Sequence, residues 1–190
     1  MGFRGIELLV DRRVLVPTEA RTATLVDVAV ELPRGARVHE VGTGSGAVAL
    51  AVKAERPDAL VSASDVSPDA VAVARENARR LGLDVEVFEA DGLPAGRYDL
   101  VVANLPYTDT LQATQQLPPE EERFQPAVAL WAGDDSLALI RELIRQAPAG
   151  TLLALEHAPH HSPTMRGLLA EARTLRDRRG DERVTVGRAR

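Results

Sequence analysis

The sequence contains no cysteine, which excludes disulfides, thiolate zinc sites, iron–sulfur clusters and thiol nucleophiles. Histidine is scarce, with His39, His157, His160 and His161 as the whole supply, and aromatic residues make up only 3% of the chain. No apolar run approaches the roughly 18 residues that a membrane span requires, and the first ten residues lack the apolar stretch of a signal peptide. A cytoplasmic protein with no membrane contact is therefore expected. Lysine is nearly missing too: Lys53 stands alone among 23 basic residues, a bias that together with abundant alanine reads as genomic nucleotide composition and carries no functional message. What remains is 190 residues, 45% of them hydrophobic, a length at which one core buries about 70% of the unfolded surface. A single domain over 1–190 is expected, with an N-terminal hairpin at 1–17 and a substrate loop or lid at 108–132.

The net charge of −5 argues against a surface built to hold nucleic acid throughout. Residues 166–190 are an exception, with eight arginines and four acids. A solvated helix and tail explains them more simply than a phosphate-binding face.

Short apolar runs alternate with stretches of helical period. Strands buried on both faces are expected at 38–41, 60–63, 85–88, 100–103 and 152–155. Helices are expected at 22–31, 47–54, 68–81, 136–146 and 163–173. The clearest, 68–81, has Ser67 as N-cap, Pro68 at its first position, Ala70, Val71, Ala74, Ala78 and Leu81 on one stripe, and Gly82 as its stop. Such alternation gives a doubly wound α/β protein with a mainly parallel sheet. Segments 174–177 and 183–187, either side of Arg178-Arg179-Gly180-Asp181, suit an antiparallel edge hairpin, and 6–10 with 14–16 suit another before the first helix.

Between the first buried strand and its helix lies Glu40-Val41-Gly42-Thr43-Gly44-Ser45-Gly46. Glycines there permit a sharp turn and close approach of a ligand. Gly42-x-Gly44-x-x-Ala47 also satisfies a dinucleotide fingerprint, so a hydride-transfer enzyme is a competing reading. The carboxylate of Glu40, two residues before the first glycine, suits a ligand with an ammonium group and would repel a pyrophosphate. Asp65 ends the second strand where an acid can accept ribose hydroxyls, and Asp91 follows the third strand within reach of an adenine amino group. Each alone is as readily a cap or turn residue; at successive strand ends they reinforce one another.

After the fourth strand comes Asn104-Leu105-Pro106-Tyr107. An amide or exocyclic NH₂ is a poor nucleophile because its lone pair is delocalised. A site that uses one must hold both N–H groups and aim the nitrogen. The Asn104 side-chain oxygen and the Leu105 carbonyl supply two acceptors, Pro106 stiffens the turn, and Tyr107 offers a face to a planar group. A tyrosine that merely fills core is the simpler competing role.

Glu-x-Gly-x-Gly-x-Gly, an acid after strand two and Asn-x-Pro-Tyr after strand four together resemble class I S-adenosylmethionine-dependent methyltransferases that modify planar nitrogens. Over nearly the whole chain the sequence is most similar to the protein-(glutamine-N5) methyltransferases of peptide-chain release factors. The similarity includes Val14-Leu15-Val16-Pro17, Gln125-Pro126-Ala127-Val128-Ala129-Leu130, Gly133 to Leu137, Leu155-Glu156-His157, and Asp177, Gly180 and Arg183-Val184. The resemblance implies a Rossmann-like, doubly wound, mainly parallel seven-stranded sheet with an antiparallel C-terminal edge hairpin. It implies S-adenosyl-L-methionine as cofactor, bound by Glu40, Gly42, Thr43, Gly44, Gly46, Asp65, Val66, Asp91, Gly92 and Asn104, with Asn104, Leu105, Pro106 and Tyr107 as the catalytic loop and no metal.

Departures bear on the substrate. Leu105 replaces the family's first proline, Asn-Leu-Pro-Tyr is also the form found in adenine dimethylating enzymes, and Pro17-Thr18-Glu19-Ala20-Arg21-Thr22 alters a family segment. The family's helical domain, which precedes the catalytic one, has no counterpart in this sequence. The expected substrate is a protein glutamine, a translation release factor being the family's own partner. Adenine-N6 or small-molecule N-methylation is the alternative, favoured if the 166–190 arginines gather beside Asn104. A non-catalytic cofactor-binding subunit that needs a recognition partner is a third reading. Glu156 and His157 read as structural, and His160, His161 and Glu156 have spacing only weakly suggestive of a metal site.

Overall fold

The computed structural model describes residues 1–107 and 135–190; the expected loop at 108–132 and the motif residues at 125–130 lie outside them. The described elements are, in chain order, β1 (Gly2–Phe3), β2 (Ile6–Glu7), α1 (Glu19–Val30), β3 (Arg37–Val41), α2 (Ala47–Glu55), β4 (Leu60–Asp65), α3 (Pro68–Leu81), β5 (Glu86–Glu89), β6 (Leu100–Ala103), α4 (Ala138–Gln146), β7 (Leu152–Glu156), α5 (Ser162–Leu168), β8 (Ala170–Arg176) and β9 (Glu182–Arg188). Seven strands form one sheet in the order β5-β4-β3-β6-β7-β9-β8. β3 to β7 run parallel, while β9 pairs antiparallel with both β7 and β8. This is the doubly wound α/β architecture expected from the alternating pattern.

Two apolar layers cover the sheet. Val38, Val61, Ala63, Val87 and Val102 pack with residues of α1, α2 and α3. Val41, Val101, Ala103, Leu153 and Leu155 pack with Ile140 and Leu143 of α4 and Met165 of α5. Alternation along each strand sends successive side chains into opposite layers, which is why the parallel strands are apolar on both faces. α3 begins as its caps dictate: the Ser67 hydroxyl accepts from Ala70 N at 3.3 Å, and Gly82 closes the helix at φ 63°. No helix among the described residues is long and apolar enough to cross a membrane.

Two segments differ from expectation. The first hairpin lies at 2–7, earlier than 6–16, because Arg4 and Gly5 both take positive φ (48° and 80°) and close a two-residue turn whose twist suits paired strands. Arg4 is secured there by Glu55 and Asp27, an anchor with no local sequence signal. At the other end, the expected helix over 163–173 stops at Leu168, and Ala170–Arg176 becomes a strand. Ala170, Glu171, Ala172 and Arg173 favour helix locally, but pairing with β9 overrides that preference, with an irregularity where Glu171 takes φ 53°.

The histidines at 39 and 157 are absorbed by the scaffold. His39 lies between the hydroxyls of Ser62 and Ser64 at 2.8 and 3.0 Å and stacks on Phe88 and Tyr98; burial lowers its pKa to about 4, so it stays neutral. His157 Nδ1 faces the Ala158 carbonyl at 2.9 Å, so it carries the proton and leaves Nε2 to accept from Thr185.

A single buried polar residue ties the chain start to the glycine turn. Asn77 of α3 accepts from Leu9 N at 2.7 Å and donates to Leu9 O and Ser45 O, both at 2.9 Å. Replacing it leaves three backbone groups without their partner, and burial makes that expensive. Asn77→Ala is expected to lower stability by about 3 kcal/mol in urea denaturation, whereas a loss below about 1 kcal/mol would show that water replaces it readily.

Candidate functional site

From β3 the chain proceeds outward to β4 and β5, then returns to place β6 on the other side of β3. At such a reversal the connections leave in opposite directions and open a crevice at the carboxyl ends of the strands. A cavity of about 420 Å³ lies there, of the size that small ligands occupy.

The expected residues are brought together in its wall. Glu40, Gly42, Thr43 and Gly44 come from the end of β3, Asp65 and Val66 from β4, Asp91 and Gly92 from beyond β5, and Asn104, Leu105 and Pro106 from beyond β6. The glycine turn is pinned to the neighbouring strand, since Gly42 N and Thr43 N both donate to Ser64 O, at 2.9 and 3.0 Å. Asp65 completes the clamp: Oδ2 accepts from Gly44 N and Oδ1 from Ser67 N, both at 2.9 Å. Each of its oxygens retains a further lone pair for a ligand hydroxyl.

Glu40 lies beneath this turn, 4% exposed. Its Oε2 accepts from Thr43 Oγ1 at 2.6 Å and from Ala49 N at 2.9 Å, so part of its work is to hold the turn against α2. Burial pushes its pKa up to about 8, with the charge of Asp65 adding to the rise and the two hydrogen bonds opposing it. A buried carboxyl held near neutrality favours a cationic neighbour, which would stabilise its ionised form.

Gly46 and Tyr107 stand outside the cavity wall. Gly46 is the N-cap of α2, and a Cβ there would lie 2.9 Å from Leu50 Cδ1 and 3.3 Å from Ala74 Cβ, so it acts on the packing of α2 against α3. Tyr107 packs with the apolar layer shared by α4 and α5, and its hydroxyl donates to Glu156 Oε1 at 3.2 Å. Burial, reinforced by the Glu156 charge, raises its pKa well above the usual tyrosine value.

Asn104 Nδ2 points to Thr22 Oγ1 at 3.5 Å. Its Oδ1 and the Leu105 carbonyl receive no hydrogen bond among the described residues, which leaves an unspent pair of acceptors at the wall. Residues not anticipated from the sequence also contribute. Thr22 comes from α1, and Leu139, Leu143 and Gln146 come from α4. Gln146 Oε1 accepts from Leu93 N at 2.7 Å and lies over Gly92, where a Cβ would clash with that oxygen. Only the amphipathic period of 136–146 hinted at α4, and nothing in it distinguished a cavity-facing edge.

A family model described as methyltransferase small domain matches residues 20–124. The release factor glutamine methyltransferase of Neisseria gonorrhoeae is 38% identical over 200 residues, covering 98% of this chain and 72% of the relative. That of Deinococcus radiodurans is 42% identical over 179 residues, covering 90% of this chain and 62% of the relative. This chain thus spans part of the length of each. Among solved structures, the hMettl16 catalytic domain in complex with MAT2A 3′UTR hairpin 6 aligns with a TM-score of 0.73 over 96% of this chain and 74% of that one, at 15% identity, a likeness of fold alone.

The Glu40 environment has a measurable consequence. A carboxyl whose pKa is raised on folding binds more protons folded than unfolded, so its contribution to stability falls as pH rises from the ordinary carboxylate range to about 8. Glu40→Gln keeps an oxygen for Thr43 and Ala49 but does not titrate. In thermal melts of the ligand-free protein from pH 5 to 8, the wild type is expected to lose melting temperature relative to Glu40→Gln; parallel curves would contradict the raised pKa.

Proposed function

We propose, from the premise that this chain belongs to the methyltransferase small domain family and to the release factor glutamine methyltransferases, that it transfers a methyl group to the side-chain amide nitrogen of a glutamine in a protein substrate. The observation that carries this reading is the acceptor pair of Asn104 Oδ1 and the Leu105 carbonyl, placed beside the glycine turn and accepting no hydrogen bond among the described residues.

The methyl donor is S-adenosyl-L-methionine, and the residues present fit it. Glu40 would face its ammonium group, Asp65 its ribose hydroxyls and Asp91 its adenine, with Gly42 and Gly44 as the turn that passes close to it and Val66, Leu139 and Leu143 as apolar wall. When bound, it supplies an activated methyl group together with its own leaving group. The chain's own contribution is then orientation. Asn104 Oδ1 and the Leu105 carbonyl accept the two N–H groups of the substrate amide and hold the nitrogen in line, Pro106 fixes the loop, and the apolar wall excludes water. The methylated nitrogen must shed one of its N–H protons; methylation makes that proton strongly acidic, so it passes to solvent as the products leave and no strong base is asked of the site.

The choice of a protein amide over a nucleic acid base rests on charge. None of the 166–190 arginines lines the cavity. Arg166, Arg176, Arg178, Arg183 and Arg188 are instead paired with Glu182, Glu19, Asp177 or Glu171. Apart from Glu40, which burial holds near neutrality, the wall carries Asp65, Asp91 and Glu142 against Arg13, a balance that repels a phosphate backbone. We place substrate selection in 108–132, whose Glu120, Glu121 and Glu122 suit a peptide for the same reason.

Asn104→Ala separates orientation from cofactor binding. With a bacterial release factor as substrate, kcat is expected to fall at least about a hundredfold, while S-adenosylmethionine affinity by calorimetry stays within about threefold. Retained turnover would remove Asn104 from the proposed role.

A further inference from the structure

The turn that follows β5 is held at both ends and left free in the middle. Ala90 N donates to Asp65 O at 3.0 Å, which ties its start to the end of β4. Leu93 N donates to Gln146 Oε1 at 2.7 Å, which ties its end to the last turn of α4. Between these anchors lie Asp91 and Gly92, both in the cavity wall. Among the described residues the Asp91 carboxylate accepts no hydrogen bond and Gly92 N gives none. A ligand at this turn therefore meets a free acceptor and, one residue on, a free donor.

Gln146 is itself oriented from two directions. Its Nε2 donates to Glu142 Oε1 at 2.9 Å, one helical turn back on α4. The nitrogen end of the carboxamide is thus fixed by an acceptor and the oxygen end by a donor. The group lies against Gly92, where a Cβ would clash with it and where φ is 76°. Glycine at 92 and glutamine at 146 form a fitted pair.

The same edge of α4 supplies apolar surface to the cavity through Leu139 and Leu143. Leu139 is 44% exposed, and Val66, which lines the cavity from beyond β4, is 54% exposed. Large apolar side chains left open in this way suit a flat ring. Adenine also has an edge that matches the turn: its amino group gives a hydrogen bond and the adjacent N1 accepts one. Hypoxanthine reverses that order, with O6 as acceptor and N1–H as donor. We propose that Gln146 is a positioning residue for base recognition, holding the Asp91–Gly92 turn in the acceptor-then-donor order that admits adenine and rejects hypoxanthine. The proposal rests on the reading that Asp91 faces the adenine of the methyl donor. Without the Gln146 oxygen, Leu93 N loses its anchor, the turn is tied at one end only, and its two free groups no longer keep a fixed spacing.

The test compares two ligands. The purified full chain is titrated by calorimetry with S-adenosylhomocysteine and with S-inosylhomocysteine, which carries hypoxanthine in place of adenine. The wild type is expected to bind the adenosyl ligand at least about tenfold more tightly. Gln146→Met, which keeps the length without the acceptor, is expected to bind the adenosyl ligand at least about tenfold more weakly and the inosyl ligand within about threefold, so that the preference collapses. Gln146→Ala, a substitution that a helix tolerates well, is expected to do the same. Gln146→Glu keeps an oxygen for Leu93 N and is expected to retain the preference, even where its charge beside Glu142 lowers both affinities. In variants that melt as a folded protein does, equal weakening of both ligands, the result of a role in packing alone, would overturn the proposal, as would unchanged affinities. A wild type with no preference between the two ligands would instead overturn the reading of Asp91 as the partner of adenine.

Discussion

The site depends on how closely the turn after β3 and the tetrapeptide after β6 approach one another. A Cβ on Gly42 would lie 2.7 Å from Leu105 Cδ2, so the Leu105 side chain occupies the space that any other residue at 42 would fill. Gly42 also takes φ 72°, which a side chain would strain. Sheet topology makes this contact possible, because β3 and β6 pair directly with Val41 opposite Ala103. The turn that suits the donor and the loop that suits the acceptor nitrogen are consequently one packed unit. Leu105, which departs from the family's proline, gives up some backbone stiffness and provides that interlock through its side chain.

Two buried carboxyl groups support this unit from below, and they differ in kind. Glu40 binds the glycine turn to α2 and is held near neutrality by burial, ready to respond to a cation above it. Glu156 lies on the substrate side, where burial again raises its pKa but the Tyr107 hydroxyl and the charges of Arg183 and Arg21 oppose the rise. In both cases a desolvated carboxyl is tolerated because polar partners are built around it, which is the usual condition for burying such a group. The chemistry assigned to the site asks for orientation of a weak nucleophile, and a rigid, water-poor wall with directed acceptors meets that requirement.

Much of this was legible in the sequence because its signals are local. Apolar runs such as 100–103 and the capped helix 68–81 show their period and their stops, and the positions of Gly42, Asp65 and Asn104 at successive strand ends follow from the parallel alternation. What was not legible arises from contacts distant in sequence. Asn77 looks like one polar residue in a helix until Leu9 and Ser45 are brought to it. Gln146 gains its meaning from Gly92, and Thr22 from Asn104. Arg4 closes a turn that its residue type would not suggest because two acids reach it from α1 and α2. Residues 170–173 become a strand because β9 is there to pair with them.

The central claim is that the acceptor pair at the wall orients a planar NH₂ nitrogen for methylation, and that the acidic surroundings of the cavity make it the amide of a protein glutamine. The most direct measurement incubates the purified chain with S-adenosylmethionine carrying a labelled methyl group, an intact bacterial release factor and ribosomal RNA, then locates the label by mass spectrometry of the digested products. The account predicts a single methyl on a glutamine side-chain nitrogen of the release factor. Label on adenine in the RNA with none in the protein would contradict it.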